Sequence, residues 1–310
     1  MNLDRLERYR DIVDDWPAFH DACTAPLPTT LWTNTLRLPP GELADQLLQE
    51  GVEVRPLPWY SRGFRLADPE SRPGKTLAYI TGACHIQEEV SMLSVPVLDP
   101  RPRQRLLDLC AAPGNKTMQS AVHMDNTGTV LANDADQNRL GMVVRNVERI
   151  GVTNTATLNW NGANLPRSGV GEFDRVLADV PCSCEGTTRK NPYVLFHSVE
   201  QSQRYAGGQA ALLQKAVQLC RPGGRIVYST CTYAPEENER VVDGALRFFE
   251  GRLRVLPVEV PGFRGAPGLV HWQGQDFDPS LAGCLRAYPH LQDTGGFFVA
   301  LLEKLPEDAT

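Results

Sequence analysis

The sequence predicts an α/β protein, a Rossmann-like doubly wound sheet preceded by a small α+β domain, and two observations carry that prediction. From about Arg105 onward, short apolar runs alternate with helix-compatible stretches, as buried parallel strands joined by helical crossovers do. Ahead of that point the apolar runs are shorter and interrupted by proline and glycine. A chain of 310 residues, 42% of them apolar, is long enough to bury one full core and still supply a smaller domain.

The elements follow in order. Leu3, Leu6, Tyr9, Ile12, Val13 and Trp16 recur at helical spacing between charges, which predicts an amphipathic helix ending near Pro17. LWTNTLRL suits a strand, GELADQLLQEGV a helix closed by Gly51, and EVRPLPW and FRLA further strands. The segment DPESRPGK, from Asp68 to Lys75, has loop composition and marks the boundary region, dividing the chain into residues 1–77 and 78–310. Beyond it come the strands RLLDLC, TVLANDA, TNTATLNW, FDRVLADV, GRIVYSTC and FFVALLE, with helices over 137–150, over 198–219 and from near Pro235.

No run of about 18 apolar residues is present, and the opening MNLDRLERYRDIVDDW is charged, unlike a secretory signal. A monomeric, cytoplasmic chain with no membrane partner is expected. The eight cysteines are irregularly spread and should stay reduced. The net charge of -6 opposes an anionic partner, because phosphate neutralisation supplies much of nucleic-acid affinity. Two local clusters can offset it: Arg55, Arg62, Arg65, Arg72 and Lys75, then Arg101, Arg103 and Arg105. A solvated face explains them equally well.

In doubly wound sheets, ligands bind outside the carboxyl ends of strands. Four such tips carry unusual residues: Asp108 to Lys116, Asn133 to Asp136, Asp179 to Glu185, and Ser229 to Thr232. In the first, DLCAAPGNKT runs from strand through small residues and a Pro-Gly turn into a helix. Small side chains admit a ligand to the backbone, and a helix N-terminus favours a carboxylate. Asp134, at the end of the second strand, suits a pair of ribose hydroxyls. A nicotinamide cofactor is disfavoured because G-x-G-x-x-G is missing, and a triphosphate because APGNKT lacks Walker spacing. S-adenosylmethionine fits best.

The other two tips present Cys182 in DVPCSCEGTTRKNP and Cys231 in YSTCTYAPEENE. Thiols facing a cofactor cleft are placed for chemistry, whereas Cys23, Cys84, Cys220 and Cys284 are assigned to the core. A thiolate adding to carbon 6 of cytosine turns carbon 5 into a nucleophile able to accept a methyl group. Asp179 is suited to hydrogen-bond the ring as charge develops. Which cysteine attacks stays open on these residues, and so does the base. Zinc held by Cys182, Cys184, His197 and Cys231 is disfavoured, since C-x-C without a second C-x-x-C matches no usual structural zinc pattern, and no metal is expected.

Taken together, DLCAAPGNKT, LANDADQNRL, DVPCSCEGTTRKNP, RPGGRIVYSTCTYAPEENE and RAYPHLQDTGGFFVALLEK, introduced by IQEEVSML, resemble the Sun (RsmB and RsmF) RNA 5-methylcytosine methyltransferases. The likeness runs from about Ile86 to Lys304 and is nearest to the RsmF ribosomal RNA branch, chiefly through EGTTRKNP. The resemblance implies that Cys231 is the nucleophile and that Cys182 assists release of the methylated base. It implies that Cys110, Ala111, Ala112, Pro113, Gly114, Asn115 and Lys116 embrace the methionine part of S-adenosylmethionine. Asp134 would hold the ribose, Asp179 the cofactor and target base, and Asn161 the adenine side.

Asn161 stands where the family usually has aspartate, and Asn115 where it usually has glycine. An amide oxygen can still accept from an adenine amino group, and asparagine tolerates positive φ better than most residues. RsmF-like enzymes commonly continue into a further RNA-binding domain, so substrate reach is expected of the N-terminal unit, which in the family resembles an RNA-recognition-type fold. Its aromatics Trp32, Trp59 and Tyr60 are read as core. The expected substrate is a cytosine in small-subunit ribosomal RNA, flipped out of its stack. The alternatives are a transfer RNA enzyme of the same chemistry, a non-catalytic ribosome-assembly factor, and a DNA enzyme using Cys182.

Overall fold

Leu3 to Trp16 do not form one helix. In the computed structural model, which describes residues 3–196 and 199–306, Asp4–Ile12 is a 3-10 helix and α1 (Trp16–Thr24) starts where a helix was expected to stop. Asp15 caps α1 by accepting from Ala18 N at 3.0 Å, and Pro17 sits in its first turn, where a missing N–H costs nothing. The apolar residues still point inward: Leu6, Tyr9 and Phe19 are buried in the core of the large sheet described below.

The small unit then forms β1 (Thr30–Thr33), α2 (Pro40–Gln49), β2 (Val54–Leu57), β3 (Tyr60–Leu66), α3 (Leu77–Ile80) and β4 (Cys84–Ile86). Its antiparallel sheet has the order β2-β3-β1-β4. Leu43 and Leu47 of α2 pack on Leu31 and Phe64. Although composition ends the first unit at 77, the sheet continues to Ile86, because Leu31 pairs with Ile86 and Thr33 with Cys84.

The second part contains α4 (Ser94–Leu98), β5 (Arg105–Asp108), α5 (Asn115–His123), β6 (Thr129–Asp134), α6 (Gln137–Ile150), β7 (Thr155–Asn159), α7 (Arg167–Val170), β8 (Phe173–Asp179), α8 (Val199–Leu219), β9 (Cys220–Thr230) and α9 (Glu239–Phe248). It ends with β10 (Leu253–Leu256), β11 (Ala266–Pro267), the β12–β13 hairpin (His271–Trp272 and Gln275–Asp276), β14 (Leu285–Ala287), α10 (Pro289–Gln292) and β15 (Phe297–Lys304). The nine-stranded sheet has the order β11-β14-β15-β9-β8-β5-β6-β7, with β10 against β15. Strands β5 to β9 are parallel, and β15 runs antiparallel to β9. The strand order reverses between β5 and β8, which opens a crevice at their carboxyl ends. This is the doubly wound, mostly parallel α/β sheet that the alternating runs predict. No helix among the described residues is long and apolar enough to cross a membrane.

Polar side chains stitch the two sheets together. Asn34 Nδ2 donates to Gly82 O and to Ile150 O, both at 2.9 Å. His85 Nε2 donates to Asn115 Oδ1 at 3.0 Å while its Nδ1 accepts from Arg149 Nη2 at 2.6 Å. His123 stacks on Tyr60 at 6.0 Å between centroids, and the Tyr60 hydroxyl lies 2.9 Å from its Nε2. Trp32 and Tyr60 are buried and Trp59 half-buried. The indole N–H of Trp32 goes to Gln87 and that of Trp59 to Glu89, each at 2.9 Å, so all three aromatics serve packing.

Burial lowers the pKa of His85 to about 4 and that of His123 to about 3, so both imidazoles are neutral in the fold. The unfolded chain takes up protons that the folded one refuses as pH falls from 6.5 toward 4. These two groups therefore remove stability across that window. Asp108, raised to about 7 by burial, contributes with the opposite sign and cancels when variants are compared. Urea unfolding at about pH 7 and about pH 5 should show His123→Gln losing less stability than wild type over the interval; an equal loss would contradict a neutral, buried His123.

Candidate active site

Asp179 lies opposite Ser229 in the parallel pairing of β8 with β9, and Val180 N donates to Ser229 O at 3.1 Å just beyond. Both strands therefore end at one level, and the segments that follow emerge side by side. The sulfurs of Cys182 and Cys231, separated by 49 residues in sequence, lie 3.3 Å apart. Cys184 brings a third sulfur to 3.9 Å from that of Cys182, from a backbone with φ of 60° that L-residues seldom adopt.

Asp179 is held from two sides. Its Oδ2 accepts from Lys116 Nζ at 2.7 Å and its Oδ1 from Ser229 Oγ at 2.7 Å. Lys116 Nζ also donates to Ser91 Oγ at 2.9 Å, and Ser94 Oγ donates to Ser229 Oγ at 3.2 Å. The ion pair is part-exposed on one side only, the Asp179 side chain being 30% accessible against 8% for Lys116. A carboxylate fixed in this way can hold a ring edge without reorganising. Lys116, expected at the methionine end of the cofactor, thus reaches across to the chemical end.

Cys182 and Cys231 are both pushed toward the thiol form. Contacts with Cys184 and Cys231, together with burial, raise the Cys182 pKa well above its usual value. For Cys231 the contact from Cys182 favours the thiolate, but the Cys184 contact and burial outweigh it and push the thiol up. Any chemistry that needs a thiolate at Cys231 therefore requires a substrate or a base to draw the proton away.

The loop carrying Cys182 is fixed by buried acids. Glu237 Oε2 accepts from Ser183 N at 3.0 Å and from Gln209 Nε2 of α8 at 2.9 Å. Glu185 accepts from the Tyr9 hydroxyl at 2.5 Å and from Arg5 Nε at 2.9 Å, which ties the N-terminal 3-10 helix to the reactive loop. Gly186 N donates to Cys231 O at 2.9 Å, and Gly296 N donates to Gly186 O at 2.8 Å. A Cβ at Gly186 would come within 2.2 Å of Gly296 O, so only glycine permits this stack.

At the other end of the crevice, Cys110 is half-buried and Ala111 and Ala112 are buried, while Pro113 is exposed. Gly114 has φ of 102°, and a Cβ there would lie 3.1 Å from Val143 Cα. Positive φ thus falls on Gly114 and not on Asn115, which is the first residue of α5. Asn115 is accounted for by its bond from His85. Asp134 Oδ2 accepts from Ala112 N and Oδ1 from Asp136 N, both at 3.0 Å, so each oxygen keeps one lone pair. Asn161 is exposed and accepts from Ala163 N at 3.0 Å; its oxygen caps its own turn. Asp108 Oδ1 and Asn133 Oδ1 are buried acceptors with no protein partner. Spare acceptors, small side chains and the amide-bearing start of α5 suit a nucleoside that carries an amino-acid moiety.

The expected basic surfaces are only partly available. Arg65 is paired with Glu89 at 2.7 Å and Asp293 at 3.1 Å, Arg101 with Asp99 at 2.5 Å, and Arg105 donates to the carbonyls of Glu172 and Val170. Arg55, Arg72 and Lys75 are exposed. Cys23, Cys84, Cys220 and Cys284 are buried free thiols, as their core assignment requires. Of the four residues weighed for zinc, three cysteines meet and His197 lies outside the described residues. Ser91, Ser94, Gln209 and Glu237 were not singled out from the sequence, although Ser91 and Ser94 stand within or beside IQEEVSML and Glu237 within PEEN.

Comparison with known proteins agrees with this geometry. The profile of 16S rRNA methyltransferase RsmB/F matches residues 95–303, and that of the N-terminal domain of 16S rRNA methyltransferase RsmF matches residues 3–89. A 28S rRNA (cytosine-C(5))-methyltransferase of Mus musculus is 40% identical over 92% of this chain, which spans 36% of that protein. A tRNA (cytosine(49)-C(5))-methyltransferase of Pyrococcus abyssi is 35% identical over 98% of this chain and 96% of its own length. The crystal structure of a methyltransferase homologue from Pyrococcus horikoshii superposes with a TM-score of 0.83 at 30% identity, covering 98% of this chain and all of the other. With matching profiles on both parts of the chain and paired cysteines at two adjacent strand tips, the protein belongs to the RsmB/F family of 16S rRNA methyltransferases.

Proposed function

We propose that this chain methylates carbon 5 of cytosine in RNA from S-adenosylmethionine, with small-subunit ribosomal RNA as the substrate. The observation that carries the reading is the 3.3 Å approach of Cys182 and Cys231 beside an Asp179 held by Lys116 and Ser229. Cys231 loses its proton and its sulfur bonds to carbon 6, which makes carbon 5 nucleophilic. S-adenosylmethionine supplies the electrophilic methyl group. Loss of the carbon 5 proton then restores the double bond and expels the Cys231 thiolate, a step in which Cys182 assists. Asp179 and Lys116 orient the ring, and the cytosine reaches the sulfurs by leaving its stack, at a cost of a few kcal/mol.

The cofactor-binding residues would be Cys110 to Lys116 at the methionine end, Asp134 at the ribose and Asn161 near the adenine. For RNA, a cavity of about 390 Å³ where the small sheet meets the loop after β8 is lined by Thr30, Gln87, Glu88, Arg189 and Lys190, and exposed Lys190 can meet a phosphate there. A second reading, transfer RNA as substrate, is favoured by the near full-length match to the Pyrococcus abyssi enzyme. Mapping 5-methylcytosine in cells lacking the gene distinguishes the two. The reduced thiols suit action in the cytoplasm.

With labelled cofactor and RNA, Cys231→Ala is expected to abolish methyl transfer, whereas Cys182→Ala should accumulate a covalent protein–RNA adduct visible by denaturing electrophoresis. Full methylation by the Cys231 variant would refute the assignment. Because Cys231 is held as the thiol, single-turnover adduct formation should accelerate as pH rises from about 7 to about 9. Gly114→Ala, which strains the backbone and presses on Val143, should weaken S-adenosylmethionine binding at least about tenfold by calorimetry; unchanged affinity would remove that loop from the cofactor site.

A further inference from the structure

Cys184 has no place in the reaction just proposed, yet it is held where it has to be explained. Its backbone is left-handed, with φ of 60° and ψ of 20°, a conformation glycine adopts freely and L-residues resist. Its sulfur lies 3.9 Å from that of Cys182, and the sulfurs of Cys182, Cys184 and Cys231 all fall within 4.8 Å of one another. Tetrahedral zinc with bonds of about 2.3 Å to sulfur separates its thiolates by about 3.8 Å. The Cys182–Cys184 spacing already meets that distance, and the 3.3 Å between Cys182 and Cys231 has only to widen slightly. Cys184 and Cys231 are half-buried, which leaves the fourth coordination position to water.

Structural zinc sites usually draw their ligands from closely spaced pairs along the chain, which C-x-C alone does not supply. Here the C-x-C of one strand tip meets a cysteine from the neighbouring tip, so the parallel register supplies the third ligand. We propose that Cys182, Cys184 and Cys231 form a three-thiolate site for a soft d10 cation such as zinc, and that occupancy reversibly blocks the Cys231 nucleophile. Each thiol releases its proton to solvent on binding and nothing is oxidised or reduced. Metal loss restores the free thiols. The block, though not the binding, rests on the proposed role of Cys231.

Cadmium titration of the reduced, metal-free full chain tests the site without reference to activity, by ultraviolet sulfur-to-cadmium charge transfer. Wild type should saturate at one equivalent with the intensity of three thiolates. Cys184→Gly, which suits the left-handed backbone, should bind at least about tenfold more weakly with the intensity of two, and Cys184→Ser should match it. Both variants should remain active in methyl transfer while losing the inhibition that zinc causes in wild type. Absence of the charge-transfer band in wild type, or equal binding by Cys184→Gly, overturns the proposal. Three-thiolate binding without inhibition would uphold the metal site and overturn the block, pointing instead to a fault in the assignment of Cys231.

Discussion

The parallel register between β8 and β9 is the constraint on which the site depends. Pairing Asp179 with Ser229 sets where each strand leaves the sheet, and hence whether the sulfurs of Cys182 and Cys231 meet. Side chains alternate faces along a strand, so a slip of one residue would turn Ser229 away from Asp179 and carry Cys231 with it. The neighbouring strand β15 pairs along β9 from Arg225 to Thr230, leaving β9 fixed on both edges. Rigidity of this kind suits the proposed reaction, in which a bond forms at one sulfur with help from another.

A second layer of order comes from buried ions and acids behind the tips. Glu239 and Arg286 pair in the core, and Arg286 also donates to Tyr233 O at 3.0 Å and to the Tyr288 hydroxyl at 3.2 Å. Glu237 and Glu185 hold the Cys182 loop, one through its backbone and the other through Tyr9 and Arg5. Desolvating so many carboxylates is unfavourable unless each is well bonded. The arrangement gains position in exchange: the loop between Pro181 and Thr188 is anchored at several backbone points instead of resting on side-chain packing alone.

Much of this was legible in the residues because the signals are local. Alternating apolar runs announce β5 to β9, and Asp179, Cys182 and Cys231 sit at strand tips that those runs define. What was not legible depends on contacts between distant segments. Tyr9 and Glu185 are 176 residues apart, so nothing local assigns the first helices to the large core. Asn115 looks like a substitute for a glycine in a turn, whereas its partner His85 comes from the other sheet. Lys116 reads as part of the cofactor loop, and only the fold reveals that it reaches Asp179. The apolar spacing runs out near Pro17 and so suggests a helix end, but with Asp15 before it the same residue opens a helix.

The backbone stack of Gly296 on Gly186 on Cys231 has a consequence for genetic experiments. A saturation library scored for activity would rank both glycines beside the cysteines, although neither offers a functional group, since any methyl at Gly186 wedges the layers apart. Intolerance to substitution, taken alone, would thus place Gly186 and Gly296 among the reacting residues when their part is that of a shim, setting the height of the sulfur above the sheet.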